Sequence, residues 1–266
     1  MRSIKDRIIS TLNNIYFGLS EPVLLRMARF RYEHIYKMYD HEPLISITIP
    51  TYDRGRLLID RTLPSILNQT YKNFEVIIIG DCAVGETPEL LSKFNDSRVT
   101  FINLPKRTKY PDDPRLRWFI SGVGPSNYAI DIAKGRWICY FDDDDIMTPT
   151  YLDDLLRFAQ NGDYEFVAGL YEEERDGILN IVGSKSKDHV EFGGHSTWLY
   201  RSYLRFFKYN INSWRKSYNK PQDIDMLLRM FHAGVRMELL NKVVSYIRPR
   251  PGATKIGLQA RLDGNE

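Results

Sequence analysis

Blocks of apolar residues alternate with helically spaced ones along the first half of the chain. Residues 44–49 (LISITI) and 74–79 (FEVIII) are continuous apolar runs rich in β-branched residues, typical of strands buried on both faces. Apolar residues at helical spacing follow each run, and residues 98–104 form a third strand-like block. Because strands and helices alternate, the pattern predicts an α/β fold with a mostly parallel central sheet flanked by helices.

The pattern changes after residue 150. A helix is expected over 151–159, and strands over 165–170 and 177–182 have the spacing of a hairpin. Residues 221–234 form a well-marked helix, with Pro at its start, acids in its first turn and Gly at its end. A last strand is predicted over 237–247.

Residues 1–42 are predicted as a helical N-terminal extension in two segments, the second starting at Ser20-Glu21-Pro22. This extension could pack on the main domain, pair with another subunit as a homo-oligomer, or lie peripherally on an anionic membrane surface. We place the main domain at 43–248, divided into a nucleotide-binding half (43–149) and an acceptor half (150–248). Residues 249–266 are predicted to be a flexible, polar tail.

Composition limits the functional classes. Lys and Arg total 37 and Asp and Glu 34, giving a net charge of +3 that says little about partners. The basic residues of the last third lack any nucleic-acid recognition motif, so no nucleic-acid partner is expected. Cys82 and Cys139 lie in or just after apolar runs, which favours free thiols in a reducing compartment. Without a signal peptide or an apolar span, we predict a cytoplasmic protein, at most peripheral on the inner face of the membrane.

Four consecutive carboxylates, Asp142 to Asp145, directly follow the apolar strand-like run 137–141. Two like charges about 4 Å apart repel by roughly 4 kcal/mol at an effective dielectric near 20. A fold accepts such a run on a solvated turn or beside a cation, and carboxylates suit Mg²⁺ and Mn²⁺. The residues 50–53 and 80–81 also follow strands, and parallel strands bring such ends to one edge. This convergence favours a metal and ligand site.

Several short motifs together resemble the family 2 glycosyltransferases, inverting enzymes of the GT-A fold that use nucleotide-diphospho-sugars. The resemblance spans roughly residues 44–248, with the motifs in the family's order. They are Pro50-Thr51-Tyr52-Asp53-Arg54, Gln69-Thr70-Tyr71, Ile79-Gly80-Asp81, Asn127 with Ala133-Lys134-Gly135, Phe141 to Asp145 with Pro149, and Gln222-Asp223 with Arg229.

The resemblance implies a role for each matched position. Metal binding, by Mn²⁺ or Mg²⁺, is implied for Asp143, Asp144 and Asp145, with Asp142 facing elsewhere. Asp223 is implied as the general base, while Asp225 fits better as a helix N-terminal acid. Nucleotide binding is implied for Thr51, Tyr52, Asp53, Arg54, Asp81, Asn127 and Asp143.

The sequence departs from the family pattern at three positions. Gly80 stands where many members have a first Asp, and Gln222 replaces the usual Glu. Ser126 stands where many have Arg, so a phosphate contact would come from elsewhere, with Arg115 and Arg117 as candidates.

Four residues are candidates for the acceptor or the diphosphate. His195 follows two glycines and could bind metal or substrate, or be a hydrogen-bonded structural residue. Trp198 could stack on an acceptor sugar or pack in the core. Arg248 and Arg250 could close over the diphosphate or be solvated tail charges.

The predicted function is metal-dependent, inverting transfer of a sugar from a nucleotide-diphospho-sugar, by resemblance a UDP-sugar, to a glycan or lipid-linked glycan. The acceptor is expected to be a surface glycan of the capsule or lipopolysaccharide type. A sugar-nucleotide pyrophosphorylase is an alternative, although residues 50–56 make a poor phosphate loop. A non-catalytic nucleotide-sugar or glycan-binding subunit is another, and retention of both the Asp run and Asp223 argues against it.

Overall fold

The computed structural model describes residues 3–38, 41–185, 190–216 and 221–262. Its main sheet has the strand order β3-β2-β1-β4-β10-β6-β11-β5, with β7 paired to β6, and β8 and β9 form a separate ribbon. The strands are β1 (Ile45–Thr51), β2 (Phe74–Gly80), β3 (Val99–Asn103), β4 (Trp137–Tyr140), β5 (Ile146–Met147), β6 (Phe166–Arg175), β7 (Ile178–Val182), β8 (Ser184–Lys185), β9 (Val190–Glu191), β10 (Trp198–Arg201) and β11 (Met237–Ile247).

Helices cover both faces of this sheet. A π-helical turn at Leu58–Thr62 joins two short α-helices. The α-helices are α1 (Ile4–Lys37), α2 (Gly55–Leu57), α3 (Leu63–Leu67), α4 (Thr87–Ser92), α5 (Pro114–Trp118), α6 (Val123–Ile132), α7 (Tyr151–Asn161), α8 (Gln222–Ala233) and α9 (Gly257–Leu262).

The sheet is mostly parallel, as predicted. β1, β2, β3 and β4 run in one direction, and β6 and β11 share it because β10 pairs antiparallel with both β4 and β6. Within the described residues, only β10, β5 and β7 run the other way. Two apolar clusters fill the space between the sheet and its flanking helices. The α/β fold predicted from the sequence is therefore confirmed.

The carboxyl ends of three parallel strands lie at the same edge of the sheet. β1 pairs with both β2 and β4, and Thr51 at its end is aligned with Gly80. β1 is buried along its whole length, which explains its unbroken apolar pattern. The residues after β1, β2 and β4 thus come together, and this edge carries the candidate site.

The N-terminal extension differs from the expected pair of helices, because α1 runs unbroken from Ile4 to Lys37 with Pro22 inside it. A proline in a helix interior removes one backbone hydrogen bond and is normally destabilising. Contacts on either side of Pro22 hold the helix together through it. Glu21 is ion-paired with Arg229 of α8, and Leu25 is fully buried against the main domain.

Ion pairs bind α1 to the main domain along its length. Arg29 donates to both carboxylate oxygens of Glu165, at 2.7 and 2.5 Å, and Glu165 is fully buried. The guanidinium of Arg229 lies between Glu21 and Asp225, and all three side chains are buried. Burial raises the pKa of Glu21 to about 7, and the charge of Arg229 opposes that rise.

Within the segment 249–266, predicted as a flexible tail, residues 257–262 form helix α9, and 263–266 lie outside the described residues. Ile256 and Ala260 are buried, and α9 packs against α5. Helix α5 lies in the connection between β3 and β4, and Asp113 caps it by accepting hydrogen bonds from the backbone of Arg115 and Leu116. No helix among the described residues has both the length and the apolar character needed to cross a bilayer.

The Arg229 network predicts a large, specific loss of stability. Arg229→Ala leaves Glu21 and Asp225 buried without their shared cation, so we expect the free energy of unfolding to fall by about 3–5 kcal/mol. Arg157→Ala is the matched control, because Arg157 is 77% exposed and lies 3.6 Å from Asp153; it should change stability by less than about 1 kcal/mol. Urea unfolding of both variants, compared with the wild type, measures these changes in the free energy of unfolding. Equal losses in the two would contradict the role given to Arg229.

Candidate active site

A cleft of about 870 Å³ opens at the carboxyl edge of the parallel strands. The turn after β1, Asp81 after β2 and the run Asp142 to Asp145 after β4 all line it. The N-terminus of α8 and the segment leading into α9 complete its walls. The predicted convergence of the strand ends is therefore present in the structure.

Asp143 and Asp144 converge on one cation in this cleft. The Nη1 atom of Arg54 lies 2.9 Å from Oδ1 of Asp143 and 3.1 Å from Oδ2 of Asp144. Asp143 is almost completely buried, and burial raises its pKa to about 6 although Arg54 opposes the rise. The two carboxylates thus define a point at which positive charge is stabilised.

Asp145 has a different environment. Its side chain is buried, and Oδ2 has no hydrogen-bond partner among the described residues. Burial, together with the neighbouring acids, raises its pKa well above that of an ordinary aspartate. The carboxylate of Asp145 therefore has too little positive charge near it to neutralise its own charge.

The π-helical turn fixes the backbone of the acidic run. The hydroxyl of Thr62 donates to the carbonyl oxygen of Asp145 at 2.9 Å, and Arg61 donates to that of Asp144 at 3.3 Å. Arg61 also donates to the carbonyl oxygens of Arg248 and Pro249. A single turn therefore ties the acidic run to the C-terminal segment. π-Turns inside helices are frequent at functional sites.

Asp142 pairs with His195. Its Oδ2 lies 2.9 Å from Nε2 of His195 and also accepts from the hydroxyl of Ser196 at 3.1 Å. The His195 ring lies against Tyr140, with ring centroids 3.8 Å apart. Burial alone would lower the pKa of His195, but the charges of Asp142 and Asp223 outweigh it and raise the pKa.

Asp223 lies in the first turn of α8 and lines the cleft. Its carboxyl group is buried, and Oδ1 has no hydrogen-bond partner among the described side chains and backbone. Burial raises the pKa of Asp223, while the charge of His195 opposes this. The neighbouring acid, Asp225, is instead held by Lys216 and Arg229, so it is structural.

The far end of the cleft is built around Asp81 and an aromatic–guanidinium pair. Oδ1 of Asp81 accepts from the backbone and hydroxyl of Thr108, and Oδ2 accepts from Tyr110 at 2.5 Å. The Arg107 guanidinium lies 3.5 Å from the centroid of the Tyr52 ring. Asp81 thus anchors the loop that carries Arg107 over Tyr52.

Arg248 and Arg250, which follow β11, both line the cleft but have different partners. Arg250 lies 3.4 Å from Oδ2 of Asp144, beside the acidic run. Arg248 is ion-paired with Glu172 of β6 and lies over the Tyr246 ring. Neither residue is a solvated tail charge.

Two candidate residues are placed outside the cleft. The Asn127 side chain donates to the carbonyl oxygen of Tyr209 and accepts from its N–H, both at 2.9 Å, so it fastens α6 to the segment after β10. Trp198 is fully buried, and its Nε1 donates to the carbonyl oxygen of Gly193. Thr51, Tyr52, Asp53, Arg54, Asp81 and Asp143, the other nucleotide-binding candidates, line the cleft.

Residues that sequence reasoning missed come mainly from loops. Arg107 and Tyr110 lie in the loop after β3, and Ser196 lies in the short turn before β10. Arg61 lies on the π-turn. Their roles depend on how the loop and the turn fold back over the strand ends, which no local pattern reveals.

The acidic run suits a divalent cation that is completed by a substrate. No three His, Cys, Asp or Glu side chains of the described segments are grouped to hold a metal by themselves. Mg²⁺ commonly binds through one or two carboxylates plus substrate phosphates. Asp143 and Asp144 meet at one cationic group and Asp145 adds an unpartnered buried oxygen, so these residues fit such an ion.

The sequence matches a family of known enzymes. A sequence model described as Glycosyl transferase family 2 matches residues 46–111 and 124–234, more than half of the chain. UDP-Glc:alpha-D-GlcNAc-diphosphoundecaprenol beta-1,3-glucosyltransferase WfaP of Escherichia coli is 26% identical over 212 residues, covering 79% of each chain. GalNAc(5)-diNAcBac-PP-undecaprenol beta-1,3-glucosyltransferase of Campylobacter jejuni is 29% identical over 144 residues, 52% of this chain and 41% of that protein.

Solved structures share the fold. TarS 1-349 of S. aureus, in complex with UDP-GlcNAc, has a TM-score of 0.58 at 18% identity, covering 79% of this chain and 60% of that one. Mannosyltransferase PcManGT from Pyrobaculum calidifontis, in complex with GDP-Man and Mn²⁺, has a TM-score of 0.56 at 15% identity, covering 93% and 70%.

The family match favours a glycosyltransferase over the pyrophosphorylase and binding-subunit alternatives. It spans the ends of β1, β2 and β4 and the start of α8, which are the segments that build the cleft. The chain belongs to glycosyl transferase family 2 and is a glycosyltransferase with the GT-A fold.

Proposed function

We propose that this enzyme moves a sugar, with inversion, from a nucleotide-diphospho-sugar to a hydroxyl group of a surface glycan, with the help of Mn²⁺ or Mg²⁺. One observation carries this proposal: the acidic run and Asp223 line the same cleft, and Asp223 Oδ1 is buried without a hydrogen-bond partner among the described residues. The site therefore combines a place for a cation and diphosphate with a carboxylate suited to accept a proton.

The nucleotide occupies the end of the cleft at Tyr52 and Asp81. Tyr52 and Arg107 offer an aromatic ring and a planar guanidinium for stacking on a base. Both Asp81 oxygens are already taken by Thr108 and Tyr110. Asp81 therefore holds this loop, and Oδ2, which accepts a single hydrogen bond from Tyr110, keeps a lone pair for a donor on the base.

Asp143, Asp144 and Asp145 would hold the divalent ion together with the diphosphate. When bound, the ion neutralises negative charge on the leaving nucleoside diphosphate. Arg54 and Arg250, which contact these carboxylates, are placed to add positive charge at the same position. A UDP-sugar donor is supported by WfaP, whose name specifies UDP-Glc, and by the UDP-GlcNAc complex of TarS.

Asp223 acts as the general base. The acceptor hydroxyl oxygen bonds to the anomeric carbon while the bond from that carbon to the diphosphate oxygen breaks. The proton of the hydroxyl passes to Asp223, and the electron pair of the broken bond leaves with the diphosphate. A single displacement of this kind inverts the anomeric centre. Burial raises the pKa of Asp223, which makes it a stronger base than a solvated aspartate.

His195 and Asp142 act as a positioning pair behind this base. Their hydrogen bond, the Ser196 hydroxyl and the Tyr140 ring together fix the imidazole. The charge of His195 opposes the rise in the pKa of Asp223, so the pair helps to keep Asp223 ionised. A structural histidine with an electrostatic effect explains these contacts better than a metal ligand.

A lipid-linked glycan is the proposed acceptor. The names of the E. coli and C. jejuni relatives each specify an undecaprenol-linked glycan. Poly(ribitol-phosphate) beta-N-acetylglucosaminyltransferase TarP of Staphylococcus aureus, 29% identical over 137 residues, acts by its name on a polymer. These names support assembly of a cell-surface polysaccharide, which would place the enzyme at the cytoplasmic face of the membrane.

The assignment of Asp223 predicts a defect in chemistry without a defect in donor binding. Asp223→Asn keeps the shape but not the basicity, so the transfer rate should fall by about 10²–10⁴-fold. The affinity for the nucleotide should remain close to that of the wild type. Asp131→Asn is the matched control, because Asp131 is exposed and pairs with Lys208 on the outside. Transfer by Asp223→Asn at the wild-type rate would refute the assignment.

The acidic run predicts that nucleotide binding depends on metal. We expect UDP, among UDP, GDP, CMP and dTDP, to raise the unfolding temperature with Mn²⁺ but not with EDTA. At about 100 times its dissociation constant it should add about 2.7 kcal/mol of stability. Asp144→Ala should abolish the metal-dependent part, whereas Asp131→Asn should retain it. An equal rise in the unfolding temperature in EDTA would contradict the proposed role of the metal in nucleotide binding.

A further inference from the structure

Helix α1 presents a broad apolar surface to solvent. At about 100° per residue, nine of its eleven large exposed apolar side chains fall within a sector of about 140° on the side opposite the main domain; Leu24 and Tyr32 lie outside it. Phe30 is 93% exposed and Leu19 is 71% exposed. This sector, which we call the outer face, includes Ile8, Leu12, Ile15, Leu19, Val23 and Phe30.

The charges of α1 are divided between its two sides. All three of its acids are paired with arginines of the main domain: Asp6 with Arg215, Glu21 with Arg229 and Glu33, which lies near one edge of the outer face, with Arg236. In contrast, Lys5, Arg7, Arg26, Arg31 and Lys37 are exposed. Lys5, Arg26 and Lys37 fall within the same sector as the apolar side chains. The outer face is therefore apolar and cationic.

Because the outer face is both apolar and cationic, its binding partner should offer apolar groups and negative charges together. A second copy of the chain would bring one cationic face against another, and Glu33, the acid at the edge of that face, is already paired with Arg236. An anionic lipid bilayer supplies both missing partners, acyl chains for the apolar side chains and headgroup phosphates for Lys and Arg. The helix is about 50 Å long at 1.5 Å per residue, so it can lie along the surface over many headgroups.

We propose that α1 docks the enzyme on the surface of an anionic lipid bilayer, lying in the interface without crossing it. The ion pairs of Arg29 and Arg229 fix the helix to the catalytic domain, so docking the helix holds the cleft at a set distance from the membrane. Binding to lipid does not require turnover, so this proposal can fail or succeed independently of the proposed acceptor.

The test is flotation of the purified full chain with vesicles. We expect binding to phosphatidylcholine vesicles that contain phosphatidylglycerol, weak binding to pure phosphatidylcholine, and loss of binding at high salt. Arg26→Gln with Lys37→Gln should weaken partitioning roughly fivefold for each residue removed. Leu12→Gln with Leu19→Gln and Phe30→Gln should weaken it at least about tenfold.

Ile178→Gln with Ile181→Gln is the matched control, because both side chains are 64% exposed but lie on β7, away from α1. This variant should float like the wild type, and all variants should keep the wild-type unfolding temperature because the changes are on the surface. Absence of the full chain from the vesicle fraction at low salt would overturn the proposal. So would a dimer, seen by sedimentation without lipid, that is dissociated by the three α1 Gln substitutions.

Discussion

Placing several carboxylates in a buried position is the constraint on which the rest of this structure depends. Asp143 and Asp145 are both buried beside Asp142 and Asp144, and without compensation their mutual repulsion would oppose folding. The chain distributes the compensation among separate segments. Arg54 comes from the turn after β1, His195 from the turn before β10, and Arg250 from the segment after β11. Elements far apart in sequence are thereby held at one edge of the sheet by charge.

The same principle joins the N-terminal helix to the main domain. Glu21 and Glu33 of α1 form ion pairs with arginines of the main domain. In a third pair the charges are reversed, because Arg29 of α1 binds Glu165 of the domain. Removing one member of a buried pair is costly, because the other is left without its partner in a medium that solvates charge poorly. These pairs orient the helix as well as holding it. Orientation determines which of its sides faces outward.

Much of the fold was predictable because the burial of β1 and β2 leaves a continuous apolar pattern in the sequence. β11 was expected over 237–247 and forms there, and Gly234, predicted at the end of α8, follows its last residue in a left-handed conformation with φ +87°. The unbroken α1 was not predictable, because tertiary ion pairs offset the local effect of Pro22. In the site, residue type and order indicated the acidic run, and the family resemblance indicated Asp223; both line the cleft. Asn127 lies outside the cleft and Trp198 packs in the core, one of the two positions expected for it, and a sequence motif does not reveal which way such side chains point.

The π-turn at Leu58–Thr62 has a consequence for how this protein can vary. Such a turn holds one residue more than the α-helical turn it replaces. That surplus residue sets the register in which Arg61 and Thr62 both meet the backbone carbonyls of the acidic run. Deleting one residue here would restore a regular helical turn and remove the register in which both side chains reach those carbonyls. Related chains should therefore tolerate substitutions in this helix far better than changes in its length.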